Sequence, residues 1–151
     1  MLNFIFQRSG TSTRERVSEL AKRCGDLSPI ADPVRRVLFD GNRASRLAGV
    51  DFAGRKLAPL APSTLRKPRS NPTPLIPRGE SSRMIAGYVV HVDAGPGRLR
   101  FLGSWPSLGV LINYFATGTR FMPRRDPLGF REVDLAEIRT LMRDYVAKGK
   151  R

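Results

Sequence analysis

Apolar residues at helical spacing predict a helix near the start of the chain. Ser12 and Glu15 have the spacing of a capping box, in which each side chain satisfies the other residue's free backbone N–H. Gly25 is a typical helix stop. Between these signals lies an apolar stripe that consists of Val17, Leu20, Ala21 and Cys24. On this stripe we expect Cys24 to be a small buried apolar residue rather than a nucleophile.

A second helix is predicted to begin at Asp32, as its cap, with Pro33 in the first turn, where the missing N–H costs nothing. Its inner face would consist of Val34, Val37 and Leu38. The helix could end at Gly41 or continue to Leu47 and Ala48, because glycine weakens a helix without forbidding it. Its polar side is assigned to Arg35, Arg36, Arg43 and Arg46.

The end of the chain carries a third amphipathic pattern. Asp134 is the expected cap, and the apolar face would consist of Leu135, Ile138, Leu141, Met142 and Tyr145. The basic residues that follow, Lys148, Lys150 and Arg151, suit the negative end of the helix dipole.

Alternating positions in the middle of the chain predict a β-hairpin. Tyr88, Val90 and Val92 alternate with polar or smaller residues, residues 94–98 form the turn, and Leu99 and Phe101 continue the alternation. One apolar face on a twisted antiparallel pair is the expected result. A short helical turn is predicted before it, at residues 80–86. The apolar segment that begins after Trp105 is compatible with either a helix or a strand.

Residues 49–79 contain six prolines, which remove backbone donors and disfavour helix. We therefore predict a long extended arm, and a second proline-bracketed loop at residues 121–130. The apolar residues of the arm argue against full disorder, so it either contacts a neighbouring subunit or wraps on its own subunit. Together these elements predict an α+β fold, with a flexible arm at residues 1–11 and a single domain at residues 12–151.

Charge adds a second line of inference. The chain has 27 Lys and Arg against 13 Asp and Glu, a formal net charge of +14. Such a field attracts polyanions or acidic protein surfaces, although a solvated basic surface has the same composition. The residues that we expect to contact DNA or an acidic partner are Arg66, Lys67, Arg69, Arg98 and Arg100.

The sequence offers little reactive chemistry. Its one cysteine excludes an internal disulfide, and its one histidine, His91, lies in a predicted valine-rich strand. We find no metal-ligand spacing, no phosphate loop and no nucleophile with a partnered base, and therefore predict no cofactor and no enzymatic activity. The opening MLNFIF is too short for a signal-peptide core, and no segment reaches the roughly 20 apolar residues of a membrane span.

Four short motifs, in order, resemble the phage virion-morphogenesis or tail-completion family. The first is a Gly followed by a Pro-Leu and Ser-Thr segment, and the second is a Pro-Leu-Ile segment that opens a short helix. The third is a Tyr-containing segment that ends in Gly, and the fourth is a Pro-Arg loop before the last helix. Their residues here are Gly54, Leu57, Pro59, Leu60, Ser63, Thr64; Pro74, Leu75, Ile76, Gly79, Ser82; Tyr114 to Gly118; and Pro123, Arg124, Arg125, Pro127, Leu128, Gly129, Phe130. Phe115, Ala116 and Thr117 replace a His and a Gln that are frequent in that family.

The resemblance implies an α+β subunit of a homo-oligomeric ring, a hexamer, in the neck or at the head-proximal end of the tail of a virion. Such a ring joins and seals tail to head without catalysis, and its partners are other neck and tail proteins and DNA in the channel. On this hypothesis the expected contact residues are Leu57, Pro59, Leu60, Leu75, Ile76, Arg124 and Arg125. The alternative is a basic nucleic-acid-binding protein, ribosome-associated or DNA-binding.

Overall fold

The computed structural model describes residues 13–60, 62, 73–76, 82–120 and 123–149, and its fold is α+β, as predicted. The helix at Ala31–Ala48 packs against one face of an antiparallel hairpin. In chain order the elements are α1 (Thr13–Gly25), α2 (Ala31–Ala48), α3 (Arg83–Ala86), β1 (Val89–Gly95), β2 (Arg98–Ser104), α4 (Leu111–Thr117) and α5 (Glu132–Lys148). Short 3-10 turns at Ser28–Ile30 and Pro106–Leu108 precede α2 and α4.

Helix α2 is the central element. Val34 and Leu38 are buried on its inner face and Val37 is partly buried, which confirms the predicted stripe. The helix continues through Gly41 to Ala48, where Gly49 ends it in a left-handed conformation at φ 66°. Its predicted cap was wrong, because the preceding 3-10 turn places Ile30 at the cap and Asp32 inside the first turn, paired with Arg35.

The hairpin has the predicted strands and the predicted apolar face. Val92 lies opposite Phe101 and Gly95 opposite Arg98, so the connecting loop is Pro96 and Gly97. The residues on the face toward α2 are buried or partly buried, namely Tyr88, Val90, Val92, Leu99 and Phe101. The other face is exposed to solvent.

The C-terminal helix, α5, packs on α2 with Ile138 buried between them. The prediction that Asp134 caps this helix was wrong, because α5 begins at Glu132 and Arg131 occupies the cap position. Asp134 is instead buried in the first turn and accepts hydrogen bonds from Arg131. Near the other end, Tyr145 is buried with Leu27 and Ile30 in a smaller apolar cluster.

Two predictions about single residues were wrong. Cys24 is exposed, because the stripe of α1 that carries it faces solvent. Arg46 does not lie on the polar side of α2 but is one of the most completely buried residues, 1% exposed. It is accommodated there because a loop far away in sequence supplies a carbonyl for its guanidinium.

The start of the predicted extended arm is a closed loop. The Asp51 carboxylate accepts hydrogen bonds from the backbone N–H of Ala53 and Arg55 and from the Arg55 side chain, and Val50 pairs with Lys56. Residues 61, 63–72 and 77–79 of the arm lie outside the described residues.

The arm returns to the core at residues 75 and 76. Leu75 and Ile76 are buried, and Leu75 has a positive φ of 70°, although it is not glycine. Its carbonyl accepts a hydrogen bond from the Ser82 hydroxyl at 3.1 Å.

Candidate assembly surface

The proline-bracketed loop at residues 123–130 is fastened to the rest of the chain by two buried arginines. The first is Arg125, which belongs to the loop. Its backbone N–H donates to the Phe115 carbonyl of α4 at 2.8 Å, and its guanidinium donates to the carbonyls of Ala58 at 2.8 Å and Pro59 at 2.6 Å. One residue therefore joins the loop, α4 and the start of the arm.

The second is Arg46, which reaches the loop from α2. Its Nη2 donates to the Pro127 carbonyl at 3.2 Å, and its Nε donates to Asn42 Oδ1 at 3.3 Å. Burial lowers the pKa of the Arg46 guanidinium, and the negative charges of Asp126 and Asp51 are among the groups that oppose this shift. Arg46 Nη1 has no hydrogen-bond partner among the residues that the structure describes.

Beside Arg46, α2 and α5 come into close contact at Gly41. A Cβ at this position would lie 2.6 Å from Cγ of Asp134, so only glycine fits without a shift. Asp134 is held by Arg131, whose pKa is raised chiefly by this hydrogen bond. Burial also raises the pKa of the neighbouring Tyr88 to about 12, against the opposing charge of Arg46.

These anchors leave a defined outer side to the loop. Arg124 is exposed and its Nη2 lies 2.7 Å from Asp126 Oδ2, while Asp126 Oδ1 accepts the Leu128 N–H at 2.9 Å. The loop therefore presents Arg124 and the half-exposed side chain of Leu128 to solvent. The two adjacent arginines predicted together as contacts have opposite placements: Arg124 points outward and Arg125 inward.

Helix α4, hydrogen-bonded to this loop through Phe115, is apolar on both sides. Ile112 and Phe115 pack against the core. Val110, just before the helix, and Leu111 and Tyr114 within it, are exposed. Five of the seven residues of α4 are apolar, yet none of the seven is fully buried. We call Val110, Leu111 and Tyr114 the α4 patch.

The other predicted contact residues divide into covered and exposed groups. Leu57, Leu75 and Ile76 are buried in the chain's own core, so their side chains are already covered. Pro59 is exposed and Leu60 partly exposed. For all seven residues the role in a subunit contact stays a prediction, but for the buried ones it would require a change in this structure.

Arg98 and Arg100 lie on the exposed face of the hairpin, as the alternation predicts. Asp93 is the register partner of Arg100 and lies on the same face. A surface groove there is lined by Arg35, His91, Asp93, Arg100 and Leu102, among others. Arg66, Lys67 and Arg69 lie outside the described residues.

The reactive side chains do not come together. Cys24 and His91 are both exposed, on α1 and on the outer face of the hairpin. Among the residues that the structure describes, no three His, Cys, Asp or Glu side chains are grouped as a metal ion would require. In the same part of the chain, no helix combines the length and apolar character of a bilayer span.

Sequence reasoning missed the anchoring role of Arg46 and Arg125 and the exposure of the α4 patch. A usable signal existed for the patch, because no charged residue stands between Arg100 and Arg120, the longest uncharged stretch in a strongly charged chain. No local signal marks either arginine as buried. The chain matches no protein-family model, no curated protein and no solved structure.

Proposed function

We propose that this chain is a structural subunit of a phage tail-completion or neck assembly, in which copies form a ring that joins and seals the tail to the head. Its partners would be further copies of itself, other neck and tail proteins, and DNA in the channel, and it would act in the virion. The proposal assigns the chain no catalytic step.

The observation that carries the proposal is the α4 patch. Val110 is 67% and Tyr114 49% exposed, on the uncharged part of a chain whose net charge is +14. Exposed apolar groups that lie together in this way are typical of a protein–protein contact. Aromatic residues such as Tyr114 are enriched in such contacts, and charged residues are depleted from their centres.

The anchored loop supports the same function. Because Arg125 and Arg46 hold the loop from inside, Arg124 leaves it from a fixed position beside α4. A positioned guanidinium can pair with a carboxylate on a neighbouring protein with less loss of conformational entropy than a free one. The order of sequence motifs that resembles the tail-completion family includes both this loop and α4.

The test is the phenotype of a phage that lacks the gene. We expect filled heads and separate tails by electron microscopy, and joining restored by the wild-type gene supplied in trans. A gene that carries Arg124→Glu should restore joining poorly, because the charge reversal opposes an acidic partner. Arg143→Glu, at an exposed position on α5, is the matched charge control and should restore joining. Intact infectious particles without the gene would refute the proposed function.

A second function, binding of nucleic acid, is favoured by the groove on the hairpin. Arg35 and Arg100 both line it, and Arg98 is exposed on the same strand as Arg100. Phosphate contacts made by such residues release counterions, so affinity would fall steeply with salt. Changing Arg98 and Arg100 to Gln should then lower the slope of log K against log salt by about 0.9 per lost contact. No binding of DNA or RNA at low salt would remove this candidate.

A further inference from the structure

Helix α1 has an apolar stripe that none of the described residues covers. Val17 is 59% and Leu20 38% exposed, and Ala21 and Cys24 on the same face are also exposed. Every side chain from residue 14 to residue 22 is exposed. We call Val17, Leu20, Ala21 and Cys24 the α1 stripe.

The helix is attached to the rest of the chain at its last turn. The Cys24 carbonyl accepts the Gly97 N–H at 2.9 Å, Arg23 donates to the Val146 carbonyl, and the Tyr145 hydroxyl donates to the Asp26 carbonyl just after the helix. An isolated helix of this length, 13 residues, is marginal in water, since packing of the apolar face supplies most helix stability. The α1 stripe therefore has the properties of a surface that is covered in the working state.

The residues beside the stripe decide what can cover it. Arg14 precedes Val17 by three residues, and Arg16 and Arg23 lie four residues before and three after Leu20. At these spacings the three arginines flank the stripe on both sides. A contact between two α1 helices would bring arginines against arginines, which is unfavourable between chains that are already strongly cationic.

The α4 patch carries no charge of its own, and Arg124 on the adjoining loop is paired with Asp126. The patch is apolar and exposed, and it lies in the uncharged stretch between Arg100 and Arg120. Its Tyr114 ring is half exposed and offers a face on which a flanking arginine can stack. In a contact between the two surfaces, the arginines beside the stripe would face this ring and an uncharged patch.

We infer that the α1 stripe of one copy packs on the α4 patch of the next copy. The inference rests on the proposed function and specifies its subunit contact. Two different surfaces meet in this contact, so it is heterologous, and repetition produces a ring if the rotation closes. The occupant of each surface is therefore a second copy of this chain.

The test uses three variants that add the same charge at exposed apolar positions: Leu20→Lys on α1, Leu111→Lys at α4, and Val133→Lys on α5 as the matched control. Lysine is a good helix former, so the helices should persist, and circular dichroism checks that they do. By sedimentation velocity we expect wild type and Val133→Lys to associate alike. For each of the other two, the dissociation constant of self-association should rise at least about tenfold, since each lacks a leucine that the contact would bury.

Mixing separates this contact from the others. A Leu20→Lys chain keeps an intact α4 patch and a Leu111→Lys chain keeps an intact α1 stripe, so an equimolar mixture should form dimers and stop there. Wild type that stays monomeric at its highest soluble concentration overturns the inference. So does unchanged association of either variant, or a mixture that stays monomeric because another segment covers α1.

Failure of the contact and failure of the proposed function give different results. Normal head–tail joining by Leu20→Lys and Leu111→Lys in the complemented phage would overturn this contact and leave the ring in place. Intact particles without the gene would instead remove the ring itself.

Discussion

Helices α1 and α5 have the same kind of apolar stripe, but only one of the two is covered. In α5, Ile138 packs against α2 and Tyr145 packs into the small cluster with Leu27. In α1, Val17 and Leu20 face solvent. A stripe therefore indicates which face of a helix seeks cover, and the rest of the fold decides whether the same chain provides it. Where it does not, the stripe points to assembly.

The region around α2 and α5, which we call the covered half, also contains the buried charged residues. Arg46, Asp134 and Arg125 are buried where α2, α5, the arm and the 123–130 loop meet. Each is hydrogen-bonded there, so the covered half is sensitive to loss of any one partner. The uncovered half should tolerate substitution in the isolated chain and fail only in assembly. Four predictions test this difference, beginning with the largest effect.

The sharpest contrast is between two leucines on helices. Leu38→Ala should lower the free energy of unfolding by about 2–5 kcal/mol, because Leu38 is 1% exposed and its removal leaves a cavity in the core. Leu20→Ala should change it by less than about 0.5 kcal/mol, because its side chain is already solvated. Urea denaturation at a concentration where the protein is monomeric measures both. Similar losses in the two variants would contradict the distinction.

The two adjacent arginines of the loop give the next largest difference. Arg125→Ala should cost about 2–3 kcal/mol, since the carbonyls of Ala58 and Pro59 lose a charged donor. Arg124→Ala should cost less than about 0.5 kcal/mol, because the Arg124 side chain is exposed and water screens its ion pair with Asp126. Thermal unfolding of both variants in one buffer makes the comparison. Equal unfolding midpoints would show that the buried hydrogen bonds of Arg125 add no more stability than the exposed side chain of Arg124.

Alkaline pH tests burial around Tyr88. Its pKa is raised to about 12 in the folded protein, while the unfolded chain releases the phenolic proton near 10. Between these values the unfolded state binds fewer protons, so stability present below pH 10 is lost as the pH rises toward 12. The expected loss is on the order of 2 kcal/mol. Tyr88→Phe should remove this part of the pH dependence; an unchanged slope would argue against burial.

Two glycines should respond to alanine with opposite signs. Gly41→Ala should destabilise the fold by about 1–3 kcal/mol, because the new Cβ overlaps Asp134 at the contact between α2 and α5. Gly25→Ala should stabilise it by about 0.4–1 kcal/mol, because α1 has open space there and a backbone suited to alanine. Denaturant midpoints measure both effects. If Gly41→Ala stabilised the protein, α5 would have to shift to make room for the new Cβ.

Much of the secondary structure followed from local pattern. The stripe of α2 lies within one helix and the alternation from Tyr88 to Phe101 within one hairpin, so local periodicity was sufficient to predict both. The α4 segment was not decided, because a short apolar run satisfies helix and strand templates equally. The two predicted caps were wrong because the helices begin earlier. A 3-10 turn at Ser28–Ile30 leads into α2 ahead of Asp32, and Arg131 caps α5 ahead of Asp134.

The candidate surface was less predictable, because burial of a polar side chain depends on distant partners. Arg46 resembles Arg43 in sequence, but its guanidinium is buried and bonds to the Pro127 carbonyl, 81 residues away. Arg124 and Arg125 are neighbours that differ only in which way the loop turns them. Cys24 was expected in the core because it lies on an apolar stripe. That prediction was wrong, since a stripe carries no information about what lies over it.

The left-handed backbone at Leu75 restricts which amino acids this position can accept. A non-glycine residue at positive φ costs about 1–2 kcal/mol, and a buried leucine returns about 1.5–3 kcal/mol. Relief of the strain offsets part of the lost burial, so glycine should cost less there than at a buried leucine with ordinary backbone angles, while valine and isoleucine, which fit this backbone worst, should be rejected. At the next position, Ile76, the same saturation library should retain branched aliphatic residues and discard glycine. Adjacent core positions would then accept opposite sets of amino acids.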